Sequence, residues 1–135
     1  MGTFRTNIAV GDPQGQEYEQ IDALVDTGAT YTTVPGSLLR RLGVPSDRRV
    51  EFELADGTII EQDVGQTWAR INGETAIVPV VFAGEGSEPL LGAVTLEIFL
   101  LGVDPVRQEL VPVRGLSMAL GPRIVTPQTA LCTYI

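Results

Sequence analysis

Histidine is absent from this 135-residue chain, and cysteine occurs once, as Cys132. Without histidine there is no imidazole to ligate zinc or to act as the base of a serine nucleophile, which excludes His-based metal sites and Ser-His triads. One cysteine cannot form a disulfide within the chain, and nothing in the sequence indicates an oxidising compartment. Cys132 could instead form a symmetric disulfide with the Cys132 of a second copy in a dimer.

Positive charge and long apolar runs are also scarce. The chain has 9 Lys and Arg residues against 17 Asp and Glu residues, and the net charge of −8 argues against nucleic-acid binding, which favours a basic face. Met1–Val10 lacks the basic start and apolar run of a signal peptide. The most apolar stretch, Pro89–Val103, is too short to span a bilayer and contains Glu97. We therefore expect a cytoplasmic protein without membrane or nucleic-acid partners.

The composition is typical of a small all-β domain. Hydrophobic residues make up 44% of the chain and charged residues 19%, which excludes a disordered chain or a coiled coil. The length suits one domain with a sizeable core. The 15 glycines and 9 prolines, together with few long helical patterns, favour many short strands joined by turns.

Apolar alternation and turn residues predict the order of the elements. Strands are expected at 3–10, 18–25, 31–34, 48–54, 58–60, 66–71, 74–82 and 103–113, and a short helix at 35–42. Hairpin turns are expected at Asp56-Gly57 and Asn72-Gly73, because these residues tolerate positive φ. Pro79, inside an apolar strand, indicates an edge position or a bulge, and Pro105 and Pro112 interrupt the last strand.

One acidic residue, Asp26, ends an apolar run that is typical of a buried strand. It lies in the segment 23–30, which reads Ala-Leu-Val-Asp-Thr-Gly-Ala-Thr. An aspartate in a turn is ordinary, because Asp caps and turns well. Here the apolar run would hold it rigidly, Thr27 offers a hydroxyl to lock the turn, and Gly28 lets another backbone or a substrate approach closely. These neighbours favour Asp26 as one half of a catalytic carboxylate pair.

The run Asp26-Thr27-Gly28-Ala29, with its apolar lead-in, resembles the active-site motif of the retroviral-type aspartic proteases, the retropepsins. The motif occurs once, whereas the two-lobed pepsin-like enzymes carry two copies in a much longer chain. The resemblance implies a cellular or bacterial member with a closed or pseudo-barrel acid-protease fold, one lobe per chain, and one or two short helices. Two chains would then pair about a two-fold axis, each contributing one Asp26.

Two later segments extend the resemblance to roughly Ile8–Val103. The hairpin residues Ala55, Asp56, Gly57 and Thr58 lie where the family has its flap, a mobile strand pair that closes over bound peptide. An ordinary surface hairpin is the alternative. The run Leu90-Leu91-Gly92, followed by a short helix, lies where the family has the segment that packs beside the active-site loop.

The same resemblance sets the expected domain bounds and shows two departures. The protease domain would span residues 1–115, and residues 116–135 would form an interface strand or a tail. Thr30 and Ala93 stand where viral enzymes commonly carry an acid and an arginine of one ion-pair network near the interface. Because both charges are absent together, neither is left unpaired, and the dimer contacts need not copy the viral ones.

The implied function is that of an aspartic endopeptidase, a hydrolase that needs no metal or organic cofactor. Two neighbouring Asp26 carboxylates would share one proton, as is general for aspartic proteases. The ionised carboxylate would take a proton from a water that attacks the peptide carbonyl, and the protonated one would donate to the oxyanion or the leaving nitrogen. The peptide or protein substrate would lie extended along strand edges.

Two other functions are consistent with the residues. The chain is alternatively a catalytically silent homodimer that serves as a protein-binding or assembly module, or a small monomeric β-barrel in which Asp26 is only a turn residue. The remaining acids near turns, Asp22, Asp56 and Asp63, are interpreted as solvated charges and not as metal ligands. Trp68 is interpreted as a core residue.

Overall fold

The computed structural model describes residues 4–117, which form nine strands and two short helices. The strands are β1 (Arg5–Gly11), β2 (Tyr18–Val25), β3 (Thr32–Pro35), β4 (Arg48–Glu53), β5 (Ile59–Ile71), β6 (Glu74–Ala83), β7 (Leu90–Leu91), β8 (Leu101–Asp104) and β9 (Glu109–Pro112). The helices are α1 (Gly36–Arg41) and α2 (Ala93–Ile98). The predicted all-β class with one or two short helices is confirmed.

Seven of the strands form one sheet in the order β1-β2-β7-β3-β6-β5-β4. An additional antiparallel pairing of β1 with β5, through Ala9↔Arg70 and Val10↔Ala69, joins the two sides of the sheet. Six strands therefore form a ring, and β4 lies outside it, attached to β5. Ring closure removes most free strand edges, which leaves β4 as an edge strand. The strands β8 and β9 form a separate hairpin.

One hydrophobic cluster joins the ring strands to both helices. In β2, Ala23 and Val25 are buried and the intervening Leu24 is only partly so, as expected of a strand with one face on the core. Leu39 of α1 and Leu91 of β7 are completely buried. Burying a side chain of this kind stabilises the fold by roughly 1.5–3 kcal/mol. Val25, directly before Asp26, belongs to this cluster.

Two strand predictions are wrong in how they divide the chain. The predicted strands 58–60 and 66–71 are one continuous strand, β5, whose first half pairs with β4 and whose second half pairs with β6. The predicted strand 103–113 is the hairpin β8–β9, because Pro105 lies in a turn where Asp104 Oδ1 accepts hydrogen bonds from the N–H groups of Val106 and Arg107.

The two predicted hairpin turns are present and differ in geometry. Asn72 and Gly73 both have positive φ, 53° and 84°, as a two-residue turn requires. At the other turn only Gly57 has positive φ, 88°. There the Gly57 N–H donates to Leu54 O at 2.9 Å and the Leu54 N–H donates to Thr58 O at 2.8 Å, so the loop has three residues.

Pro79 occupies the kind of position expected of a strand proline. The pairing of β6 with β3 begins one residue later, at Val80. Within the described part of the chain, Pro79 therefore has a strand neighbour on one side only, in β5.

Within residues 4–117, no helix is long and apolar enough to cross a membrane. The cytoplasmic location stays a prediction. Residues 118–135, which include Cys132, lie outside the described residues. They make up nearly all of the segment 116–135 that is expected to form an interface strand or tail.

Candidate active site

The backbone around Asp26 is hydrogen-bonded on several sides. Asp26 follows the last residue of β2, and its N–H donates to Leu91 O at 3.0 Å. The N–H of Val25 donates to Phe4 O at 2.8 Å, and that of Leu24 donates to Pro89 O at 2.9 Å. The strand end that carries Asp26 is therefore fixed by the chain before β1 and by the chain around β7.

The turn after Asp26 orients its carboxylate. The Gly28 N–H donates to Asp26 Oδ1 at 2.9 Å, and the Ala29 N–H donates to Asp26 O at 3.1 Å. A Cβ atom on Gly28 would lie 3.2 Å from Asp26 Oδ1, closer than most carbon contacts. Asp26 as a whole is half-buried, and the Gly28 amide holds one oxygen of its carboxylate. Thr27 is exposed in the same turn.

The run Leu90-Leu91-Gly92 lies directly against this loop. The first amides of α2 lack partners within the helix, and they bond to the loop instead. The N–H of Ala93 donates to Ala29 O at 2.8 Å, and that of Val94 donates to Thr30 O at 3.0 Å. Thr30 and Ala93, which stand where viral enzymes carry opposite charges, are thus on segments joined by backbone hydrogen bonds.

A buried pair of threonine hydroxyls lies beneath the loop, and sequence reasoning missed it. Thr32 Oγ1 and Thr95 Oγ1 are 2.6 Å apart, and Thr32 Oγ1 also accepts the N–H of Gly92 at 3.1 Å. Both side chains are at most 2% exposed. The only signal in the sequence is a threonine at an inward position of β3, and nothing local indicates its partner 63 residues away.

Replacing Thr32 with valine is expected to destabilise the protein by roughly 1–3 kcal/mol, because the Thr95 hydroxyl and the Gly92 N–H lose a buried partner. Chemical denaturation measures the change. The double variant Thr32→Val/Thr95→Val should lose less than the sum of the single variants, since it also removes one of the orphaned groups. Thr75→Val on the exposed side of β6 is the matched control. Strictly additive losses would contradict the pairing.

An open groove of 730 Å³ lies between the Asp26 loop and the β4–β5 hairpin. One wall comes from the loop and from strands beside it, and the other from the hairpin. The lining residues include Gly28, Ala29, Tyr31, Leu90, Glu51, Phe52, Glu53 and Ile60. The Tyr31 and Phe52 rings meet edge to face across the groove with centroids 5.9 Å apart. The groove is open to solvent and lies between two separate walls, so a ligand can enter it from outside.

The β4–β5 hairpin contains the residues that the resemblance assigns to the flap, and that assignment stays a prediction. Its tip, Ala55-Asp56-Gly57-Thr58, is exposed, and β4 pairs with no described strand other than β5. Arg49 crosses the hairpin to Asp63, with Nη1 and Oδ1 2.9 Å apart. Movement of the hairpin over a bound peptide stays a prediction.

The stability of the hairpin tip is expected to depend on pH through Asp56. Hydrogen bonds from the Thr58 side chain and from the Thr58 N–H lower the pKa of Asp56 below its ordinary value. The pKa of Asp56 is lower in the folded protein than in the unfolded one, so the ionised carboxylate stabilises the folded hairpin. This stabilisation is fully present above the unfolded pKa and is lost as pH falls through the folded pKa. NMR titration should show a depressed Asp56 pKa that rises in Thr58→Val. An unchanged pKa in that variant would contradict the side-chain contribution.

The other acids singled out from the sequence do not join Asp26. Asp22 is exposed on β2, Asp56 is in the hairpin turn, and Asp63 pairs with Arg49. No group of three or more His, Cys, Asp or Glu side chains able to hold a metal ion occurs in the described part of the chain. The core interpretation of Trp68 is wrong, because its half-buried ring packs on the backbone of Gly15 at the surface, outside the hydrophobic cluster.

Comparison with known proteins gives one family. A family model described as "gag-polyprotein putative aspartyl protease" matches residues 15–98. This range contains the Asp26 loop, the β4–β5 hairpin and Leu90-Leu91-Gly92. A search of curated proteins gives no significant match.

Proposed function

The chain belongs to the gag-polyprotein aspartyl protease family, and from this membership we propose that it is a homodimeric aspartic endopeptidase. Its active site would combine the Asp26 carboxylates of two chains. The observation that carries the proposal is the Asp26 loop itself, in which the Gly28 amide orients the Asp26 carboxylate and the residues from Gly28 to Tyr31 line an open groove. The catalytic domain would span residues 1–115.

The need for two chains follows from the chemistry. Hydrolysis of an amide by water requires a base for the water and an acid for the oxyanion or the leaving nitrogen. The loop supplies one carboxylate, and Glu88, on another wall of the groove, is in an ion pair with Arg5. Glu51 and Glu53 also line the groove, but their side chains point to the face of β4 opposite Phe52. A two-fold axis beside the loop would bring a second Asp26 to the first without any further residue.

In the proposed reaction the two carboxylates share one proton, because like charges so close cannot both ionise. The ionised Asp26 accepts a proton from water as the water oxygen attacks the peptide carbonyl carbon. The protonated Asp26 of the other chain donates to the carbonyl oxygen, which gives a tetrahedral diol. Transfer of a proton to the nitrogen then breaks the C–N bond and releases an acid and an amine.

Subunit mixing tests whether two Asp26 residues form one site. With random exchange, a nine-fold excess of Asp26→Asn chains should lower the activity per wild-type chain to about a tenth, because most wild-type chains then have an inactive partner. An equal excess of Asp22→Asn, which removes an exposed acid on β2 and leaves the chain active, should keep the activity per total chain at the wild-type value.

Mass spectrometry shows whether the mixture contains mixed dimers. If it does, and the activity per wild-type chain is still unaffected by Asp26→Asn, the shared site is contradicted. A dimer that cuts no peptide at all would instead favour the non-catalytic binding or assembly module. A monomer would favour the β-barrel in which Asp26 is a turn residue.

A further inference from the structure

Within residues 4–117, the outer edge of β4 pairs with no other strand, and it borders the groove. The Leu54 N–H points toward β5, where it donates to Thr58 O. Because the backbone groups of an antiparallel strand alternate in direction, those of Arg49, Glu51 and Glu53 point away from β5. Glu51 and Glu53 both line the groove. Another extended chain can therefore pair with β4 at these two residues.

The side chains along this edge alternate in chemistry as well as direction. Phe52 lies on the groove side, where its ring contacts Tyr31. Arg49, Glu51 and Glu53 lie on the opposite face, since successive side chains of a strand point to opposite faces. Arg49 is engaged with Asp63 and Glu61 on the neighbouring strand. Within residues 4–117, no arginine forms an ion pair with Glu51 or Glu53.

This face also contains a like-charge pair, which the hairpin offsets only at Glu61, through the ion pair with Arg49. Glu51 is directly opposite Glu61 in the β4–β5 register. Like charges in this position destabilise a strand pair, and opposite charges stabilise it. A cationic side chain beside Glu51, on the free side of β4, would reduce this repulsion.

We propose that the free edge of β4 selects substrate strands with basic residues at two alternate positions, i and i+2, around an apolar residue. The inference rests on the proposed peptide-binding function of the groove. A paired substrate strand would place residues i and i+2 beside Glu51 and Glu53, at the short distance of cross-strand neighbours. Residue i+1 would face Phe52 and Tyr31 on the groove side.

The test measures binding separately from cleavage, with the full-length Asp26→Asn variant and fluorescence anisotropy. Three labelled decapeptides differ only at the tripeptide Arg-Leu-Arg, Gln-Leu-Gln or Glu-Leu-Glu. At low ionic strength we expect the Arg peptide to bind about 3- to 10-fold tighter than the Gln peptide, and the Glu peptide to bind most weakly. High salt should reduce the differences.

Two double variants locate the preference. Glu51→Gln/Glu53→Gln should abolish the difference between the Arg and Gln peptides. Glu74→Gln/Glu109→Gln, which removes two exposed charges at the start of β6 and at the start of β9, should retain it. Three results would overturn the inference. They are equal binding of all three peptides, no binding up to about 1 mM, and a preference that survives Glu51→Gln/Glu53→Gln.

The outcomes also separate this inference from the proposed function. Cleavage by the wild-type chain without a dependence on Glu51 and Glu53 would reject the charge selection and keep the endopeptidase. Selective binding by Asp26→Asn, with no cleavage by the wild-type chain, would reject the endopeptidase and keep the β4 edge as a peptide-binding surface.

Discussion

Replacing Asp26 with asparagine is expected to lower kcat/KM for peptide cleavage by at least about 10³-fold. In a symmetric dimer the substitution removes both the base and the acid, and each such group typically contributes 10²–10⁴-fold. The fold should be retained, because the Asn side-chain oxygen can still accept the Gly28 N–H and the backbone bond to Leu91 is unchanged. The unfolding free energy should change by less than about 1 kcal/mol.

Steady-state kinetics, denaturation and sedimentation on the same preparations check these expectations together. Asp22→Asn is the matched control, since it removes the same charge from an exposed position four residues earlier. It should have wild-type kinetics. An Asp26→Asn protein that is folded, dimeric and cleaves at the wild-type rate would end the assignment of Asp26 as the catalytic residue.

Replacing Gly92 with alanine is expected to have the second large effect, on both stability and activity. A Cβ atom at this position would lie 2.6 Å from the carbonyl carbon and oxygen of Tyr31 and 3.0 Å from Ala29 O. These are backbone atoms, so they cannot rotate away as a side chain would. The φ of Gly92 is −94°, which any residue adopts, so the cost is steric.

The loop and α2 would have to separate, which strains the hydrogen bonds from Ala93 to Ala29 and from Val94 to Thr30. We expect a loss of about 2–3 kcal/mol in stability. Cleavage should fall by about 10²-fold, because the loop that carries Asp26 would shift.

Gly84→Ala is the control for the loss of a glycine. Its Cβ would meet only Ser87 Oγ, at 4.0 Å, so stability should change by less than about 1 kcal/mol. Equal effects of Gly92→Ala and Gly84→Ala on stability would contradict the close packing of α2 on the loop.

Local features of the fold were predictable where the physical cause is local. The bounds of β2, Tyr18–Val25, agree with the prediction because apolar residues lead to a turn that starts at Asp26. The Asn72-Gly73 turn was equally predictable, since its two positive φ angles restrict the residues that fit. The contact of Leu90-Leu91-Gly92 with the Asp26 loop is long-range, and only the family resemblance indicated it.

Other features depend on contacts that no local pattern shows. The β1–β5 pairing that closes the ring joins residues about sixty positions apart in the chain, and neither strand carries a signal for the other. The continuity of β5 was missed because Glu61 and Asp63 interrupt the apolar pattern. They are accommodated there because that half of β5 belongs to a hairpin with solvent beside it and Arg49 across it.

The most direct test of the proposed function is digestion of a mixed peptide library by the purified wild-type chain between about pH 4 and 7, where paired carboxylates change state. Each digestion is run with and without a statine-containing peptide, which mimics the tetrahedral diol. We expect internal cleavages that the statine peptide suppresses. The assignment as an endopeptidase would be contradicted if sedimentation shows the chain to be dimeric and it still cuts no peptide at any of these pH values.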